Sequence, residues 1–389
     1  MKSIWEGKFN YSGAVTLEKR KRTILVIDNA SAFTGAFKSI FTVSRQLHAQ
    51  FHFIFCIPSG SALKKYLSEK GMDYFTLPFL EISKRFSVLF YFPMLLYNAV
   101  RLSFIVSSRN VDVIHVNDLY NMTGIVVKIL KPRIKLIYHV RLMHDSYVRS
   151  LYYVWVKLIL RFADHVVCNS FAVRNGLHTD SQKVQVIYNL PPAEPRQTTN
   201  VAQDEATIRL LYLANFTPGK GHDLAVEAFA AALGSMPGSV KMIMSGGDLG
   251  KKNNVIYKQS IMEKARYLQV DSHISFTDFE PDVEKAMRNA TIFLNFSESE
   301  SFSMTCLEAL TFGVPLIATD CGGPAELFEN GKSGILVKNK DIEDMKQAIL
   351  RLCQDKHLRE TFAKNGREFV KSKFVLPEII RKYITLYEN

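Results

Sequence analysis

Two glutamates, Glu300 and Glu308, stand eight residues apart in the stretch NFSESESFSMTCLEALTFGVPLIATDCGGPAELFENGKSGILV, residues 295–337. An ionised carboxylate only accepts hydrogen bonds, so a polyhydroxylated partner, a ribose or a sugar, is its natural complement. An eight-residue step covers roughly two helical turns. Both acids can therefore face one ligand only if Glu300 lies in the loop just before a helix that carries Glu308. The flanking residues fit that arrangement. An apolar strand from Ala290 to Phe296 stops at the polar turn SESES, and a helix is expected from about Ser303 to Phe312, ended by Gly313 and Pro315. The strand PLIAT then runs into a turn at Gly322 and Gly323. The free N–H groups at that helix start, around Ser303, Met304 and Thr305, suit a diphosphate. On spacing alone, Glu300 reads equally as a solvated loop acid and Glu308 as an exposed helix acid.

The remaining elements alternate strand and helix, the pattern of α/β domains with parallel sheets. Strand TILVIDN (Thr23–Asn29) leads into a loop with Gly35 and an amphipathic helix with Phe37, Ile40, Phe41, Val43 and Leu47 inward. Further strands are expected at Phe51–Ile57, Tyr74–Leu77, Val111–Asp118, from Lys135, and at His165–Ser170, with helices near Leu63–Lys70, Tyr120–Leu130 and Tyr147–Phe162. Residues 191–207 are proline-rich, polar and without periodicity, a linker between two domains. The second domain opens with IRLLYLANFTPGKGHD, where Lys220 sits between two glycines in a strand–helix loop and can reach a diphosphate as a point charge. Neither this loop nor GGDLGKK (Gly246–Lys252) is a P-loop. Gly246 reads as a glycine passing close to a nucleotide or as a plain turn.

Taken together, ESFSMTCLEA with its Glu-x7-Glu, TFGVPLIATDCGGPAEL and GKSGILV strongly resemble the family 4 glycosyltransferases, over more than forty residues here and again upstream. The resemblance implies the GT-B fold, two Rossmann-like domains facing across a cleft, and retaining transfer of a sugar from a nucleotide diphosphate sugar to an acceptor hydroxyl. It implies Glu300 on the donor sugar, Glu308 on the ribose, Lys220 and the N–H groups near Ser303 on the diphosphate, Gly35 in a loop approached by diphosphate or acceptor, and His139 beside the donor sugar. Arg141 and His144, nearby, are read as structural. The sequence departs from the family pattern in three places. Ser303 replaces a glycine, a change expected to cost little because its N–H remains. Asn215 stands where an arginine usually partners the lysine. Thr34-Gly35-Ala36 replaces a Gly-Gly pair.

The expected division is a tail at 1–22, an acceptor-side domain at 23–190, the linker at 191–207, a donor-nucleotide domain at 208–371 and a terminal helix, 372–389, crossing back to the first domain. Residues 1–190 carry 25 Lys+Arg against 11 Asp+Glu, whereas residues 191–389 carry 24 against 26. The basic half suits anionic lipid or a phosphate-bearing acceptor; nucleic acid is set aside because no recognisable binding module is present. Residues 86–106, FSVLFYFPMLLYNAVRLSFIV, are the most apolar stretch, long enough to be a buried helix, a helix dipping into a membrane surface, or a span. No signal peptide is expected, and the five scattered cysteines suggest neither metal site nor disulfide framework. The expected protein is cytoplasmic or peripheral at the inner face of the membrane. It is expected to need no metal, since no Asp-x-Asp triplet occurs, and no cofactor beyond the nucleotide-sugar co-substrate, a UDP-sugar in preference to a GDP-sugar. Its acceptor is a saccharide, free or lipid-linked, in bacterial surface polysaccharide assembly. Two rivals are a nucleotide-sugar epimerase on the same fold and a non-catalytic membrane-binding scaffold, the latter supported by Asn215.

Overall fold

The computed structural model describes residues 20–79, 87–193 and 207–389. The first domain runs β1 (Arg22–Ile27), α1 (Gly35–Leu47), β2 (Phe51–Pro58), α2 (Leu63–Glu69), β3 (Asp73–Leu77), α3 (Ser87–Ser108), β4 (Val111–Val116), α4 (Thr123–Leu130), β5 (Lys135–Val140), α5 (Arg149–Phe162), β6 (His165–Cys168), α6 (Phe171–Gly176) and β7 (Val184–Val186). The second runs β8 (Thr207–Leu213), α7 (His222–Leu233), β9 (Ser239–Ser245), α8 (Lys252–Tyr267), β10 (Ile274–Thr277), α9 (Val283–Arg288), β11 (Ile292–Asn295), α10 (Met304–Phe312), β12 (Leu316–Thr319), β13 (Ile335–Val337), α11 (Ile342–Gln354), α12 (Lys356–Lys373) and α13 (Leu376–Glu388).

Each domain holds one parallel sheet, in the orders β3-β2-β1-β4-β5-β6-β7 and β10-β9-β8-β11-β12-β13. Strand order reverses direction between β1 and β4 in the first sheet and between β8 and β11 in the second. Ligands of open α/β sheets bind at the carboxyl ends of such strands, where the diverging crossovers leave a crevice. Parallel strands are covered on both faces and read as continuous apolar runs; Ile24 to Ile27 and Ile292 to Leu294 are all at most 1% exposed. The inward set expected on α1 is buried as a whole. The helix expected from Tyr120 starts three residues later, because Asn121 Oδ1 accepts from Thr123 N at 3.0 Å and turns the chain there.

α13 belongs to the second half of the sequence but packs on the first domain. Its Tyr387 ring lies against Phe51 and Phe53, and its hydroxyl is 2.9 Å from His115 Nδ1. The last carbonyls of a helix have no partners within it; here Arg22 donates to those of Tyr387 and Glu388, and Lys135 to that of Leu386 at 2.5 Å. Nearer the cleft, Glu326 of the second domain accepts from the N–H groups of Phe171 (3.0 Å) and Ala172 (2.7 Å) at the start of α6, and from the Tyr188 hydroxyl (3.0 Å).

The apolar stretch is helical. α3 buries Ala99, Leu102 and Val106, and Asn98 donates to the Pro78 carbonyl at 3.0 Å. Its opposite face, Phe90, Phe92, Leu96, Tyr97, Val100 and Phe104, is exposed. All five cysteines are free and buried.

Candidate active site

A cavity of about 450 Å³ lies between the two domains. Its second-domain wall comes from the loops that follow β8, β9, β10 and β11, with the sheet order reversing between β8 and β11. Lys220 Nζ is 2.5 Å from Glu300 Oε1, which also accepts from Ser297 Oγ at 3.2 Å. One side chain ties the loops after β8 and β11 together: the buried Tyr212 hydroxyl donates to the Lys220 carbonyl at 2.5 Å and accepts from Phe296 N at 3.0 Å. Glu300 is also pinned through its backbone, its N–H donating to Cys321 O at 3.3 Å and its carbonyl accepting from Gly323 N at 2.7 Å. Lysine and glutamate are thus preset as a charge pair facing the cleft.

Ser303, Met304 and Thr305 line the same cavity and form the start of α10. Ser303 accepts from Cys306 N at 3.4 Å and from Asn295 Nδ2 at 3.0 Å. The exchange of glycine for serine is not free, which corrects the expectation from sequence. Ser303 has φ 67° and ψ 91°, a region that costs a residue with a Cβ on the order of 1–2 kcal/mol. Its hydroxyl cap offsets part of this.

Glu308 is buried, 2% exposed, which removes the reading as an exposed helix acid. Burial raises its pKa from the usual value, while the ammonium of Lys38 works in the opposite direction. Lys38 reaches across from α1 and pairs with Glu308 Oε1. Asn215 and Gly246 also line the cavity, as does Gly35. The two glycines differ in kind. A Cβ on Gly246 would lie 1.8 Å from the Ala214 carbonyl oxygen, so packing between strand ends demands glycine there. A Cβ on Gly35 would meet nothing within 4 Å, so only what enters the cavity can require its absence.

His139 is not in the cleft. Its side chain is fully buried between β5 and α13, stacked on His115 with ring centroids 5.5 Å apart and 6.5 Å from the Tyr383 ring. Burial, with Arg141 and His115 beside it, holds its pKa well below the usual histidine value, so it is neutral. Neither ring nitrogen has a hydrogen-bond partner among the described residues. The reason is register. Side chains two apart on a strand share a face and are roughly 6.6 Å apart. Arg141, two residues on and just past the end of β5, is the one that reaches the cavity.

Lys38, Arg141, Asn169 and Asn189 therefore join the site without having been assigned to it from sequence. Lys38 had one signal: a cation in the first turn of a helix opposes the macrodipole, and a broken local rule marks a functional position. Arg141 is 3% exposed. Its Nε donates to Asn117 Oδ1 at 2.8 Å, and its Nη1 to Ser39 Oγ at 3.0 Å and Asn189 Oδ1 at 2.7 Å. Asn169 Nδ2 crosses the cleft to Ser301 Oγ at 3.1 Å.

The arrangement combines a fixed cation, a helix N-terminus and the carboxylate of Glu300 around one cavity, which can hold a diphosphate and a hydroxyl-bearing group beside it, with Glu308 buried on the same helix and paired with Lys38. Two family models match this chain: "Glycosyltransferase Family 4" over residues 33–190 and "Glycosyl transferases group 1" over residues 195–369. An uncharacterised glycosyltransferase of Methanocaldococcus jannaschii is 26% identical over 73% of this chain and 77% of its own length. The N-acetyl-alpha-D-glucosaminyl L-malate synthase of Bacillus anthracis is 23% identical over 86% and 95%. Among solved structures, Anabaena HepE in complex with UDP and glucose superposes with a TM-score of 0.78 at 18% identity, covering 94% of this chain and 99% of that one. The fold is GT-B, and the chain belongs to the group 1, family 4 glycosyltransferases.

Proposed function

We propose that this enzyme is a retaining glycosyltransferase that moves a sugar from a UDP-sugar to a hydroxyl of a lipid-linked saccharide, in bacterial surface polysaccharide assembly. The observation that carries the reading is the Lys220–Glu300 pair set beside the start of α10 in the cleft. In this reading Glu308, its charge balanced by Lys38, accepts from the ribose hydroxyls. Glu300 accepts from hydroxyls of the donor sugar. As the bond from sugar C1 to the diphosphate oxygen breaks, charge grows on the leaving group. Lys220 and the N–H groups of Met304 and Thr305 stabilise it there, where it is worth most. The acceptor oxygen bonds to C1 on the same face, and its proton passes to the departing phosphate oxygen. No protein base is required. The complex of HepE with UDP and glucose supports a uridine donor.

The lipid-linked acceptor and the membrane rest on α3. Its outward face carries four large apolar side chains, Phe92, Leu96, Val100 and Phe104, at four-residue spacing. Arg101 and Arg109 lie on or beside it. An apolar stripe with adjacent cations suits an anionic bilayer surface.

The test is thermal unfolding with UDP, GDP, ADP, CMP and UMP, without added metal. Ligand at 100 times its Kd adds about 2.7 kcal/mol. UDP is expected to shift the wild type, and Glu308→Ala to abolish the shift. A flat response to all three diphosphates overturns the donor assignment. The anomeric configuration of the product, read by NMR, decides retention, and co-sedimentation with phosphatidylglycerol vesicles decides the membrane.

A further inference from the structure

Arg141 is a buried cation that its own domain leaves incompletely answered. A guanidinium has five N–H donors. Three are used, by Asn117, Ser39 and Asn189, and all three acceptors are neutral. Nη2, also buried, has no partner among the described residues. Tyr383 lies beside the guanidinium and interacts with it through its hydroxyl, but a neutral phenol supplies a dipole and not a counter-charge. The nearby carboxylate, Asp28, is occupied by Asn117 Nδ2 at 2.6 Å and Ala30 N at 2.7 Å. Burying a cation without a directly bonded anion is costly. The arginine also lines the inter-domain cavity, beside Asn169, whose Oδ1 is buried and unpartnered as well.

We propose that Arg141 is the core of an oxyanion subsite on the first-domain wall of the cleft, which takes a phosphate or carboxylate group of a substrate through its guanidinium. The subsite lies in the cavity read above as the substrate cleft, and the proposal rests on that reading for its location. Two sources would present this chemistry: the diphosphate of the donor, in which case Arg141 supplies from the opposite wall the second positive charge that Asn215 cannot, or an acidic group on the acceptor.

The experiment measures the affinity of inorganic phosphate by thermal unfolding of the full chain at constant ionic strength, chloride replacing phosphate, with and without saturating UDP. Wild type is compared with Arg141→Gln. The variant is expected to bind phosphate at least tenfold more weakly. If phosphate and UDP stabilise the wild type additively, the subsite serves a second, acidic substrate. If they compete, and the variant is weakened toward both, it serves the donor diphosphate. Equal phosphate affinity in variant and wild type overturns the proposal. Should Arg141→Gln fail to fold, Arg141→Lys is measured instead. Lysine has three N–H donors for three neutral acceptors already in place, so it too is expected to bind phosphate more weakly, and wild-type affinity in that variant overturns the proposal. A wild type that binds phosphate but ignores UDP sinks the uridine donor and leaves the phosphate comparison intact.

Discussion

The two walls of the cleft are built in different ways. The second-domain wall takes its working groups from two loop–helix units at the strands where the sheet order reverses, and its charges are answered locally, Lys220 by Glu300. The first-domain wall takes residues from four separate places, Thr34 to Ala36 after β1, Arg141 after β5, Asn169 after β6 and Asn189 after β7, and Lys38 on α1 reaches across to Glu308. Its charges are answered across the cleft, as Lys38 is by Glu308, or only by neutral groups, as Arg141 is. The second wall is a preset receptor that keeps its geometry when empty. The first wall is completed by what it faces.

If that contrast is right, removing a charge from the second wall should act on chemistry. Lys220→Ala is expected to cut the transfer rate by about 10²–10³-fold, the loss typical of one preorganised group on a developing anion. Lys220 is one-third exposed, so the fold should survive. Single-turnover donor consumption is the measurement, and a loss smaller than tenfold would erase the distinction between the walls. Removing a charge from the first wall should act on the empty state instead. Lys38→Met strands a buried carboxylate and is expected to lower stability by about 1–3 kcal/mol, the partly exposed lysine keeping the cost below that of a fully buried pair. The stabilisation by UDP should then be larger than in wild type, because ribose hydroxyls replace the lost donor. Thermal unfolding with and without UDP reads both numbers; equal destabilisation in the two states would mean that Lys38 is no part of the binding surface.

The same contrast explains what could be read in the sequence. Glu300, Ser303, Met304, Thr305 and Glu308 lie within nine consecutive residues bracketed by a strand–loop–helix pattern, so spacing permits them to surround one point, and the family resemblance selects that reading over two solvated acids. Both sheets were equally legible, since apolar runs separated by amphipathic helices admit few other architectures. The first wall was not, because no local pattern joins Lys38 to Arg141 or Asn189; only the order of strands does. His139 shows how fine the failure is. The strand was placed correctly and the residue chosen lies on the correct face, but the cavity begins one same-face step later, at Arg141. The end of a strand is what sequence reading locates least well, and here two residues separate a buried neutral ring from the group that lines the site.

The polar cluster behind the first wall gives that side a dependence on pH. Burial, with a smaller contribution from Asp28, pushes the Asp118 carboxyl up to about 7, against a usual value near 4. Between about pH 4 and pH 7 the folded protein therefore keeps a proton that the unfolded chain has lost. Stability falls as pH rises through that window and is flat above it. Asp118→Asn has nothing to titrate. Going from pH 6 to pH 8, the wild type should lose roughly 1 kcal/mol relative to the variant, since only the step from 6 to 7 contributes, at about 1.4 kcal/mol per unit. Paired denaturant titrations at the two pH values give this difference with every other titrating group cancelled. A constant difference would show that Asp118 is ionised in the fold, and the cluster would then resemble the paired second wall.

The smallest expected effect tests the one strained point of the second wall. Ser303 combines a backbone conformation that favours glycine with a hydroxyl that caps α10. The two substitutions that remove the hydroxyl separate these terms. Ser303→Ala keeps the strain, loses the cap and leaves Asn295 Nδ2 without its partner, and should cost about 1–2 kcal/mol. Ser303→Gly also loses the cap, which costs only a few tenths when glycine replaces serine, and leaves Asn295 Nδ2 without its partner, but it releases strain on the order of 1–2 kcal/mol. The glycine variant should thus melt about 1–3 °C above wild type and the alanine variant below it. If both fall together, the hydroxyl and its bond to Asn295 outweigh the backbone, and the preset geometry of the second wall is held by side chains more than by the turn they sit on.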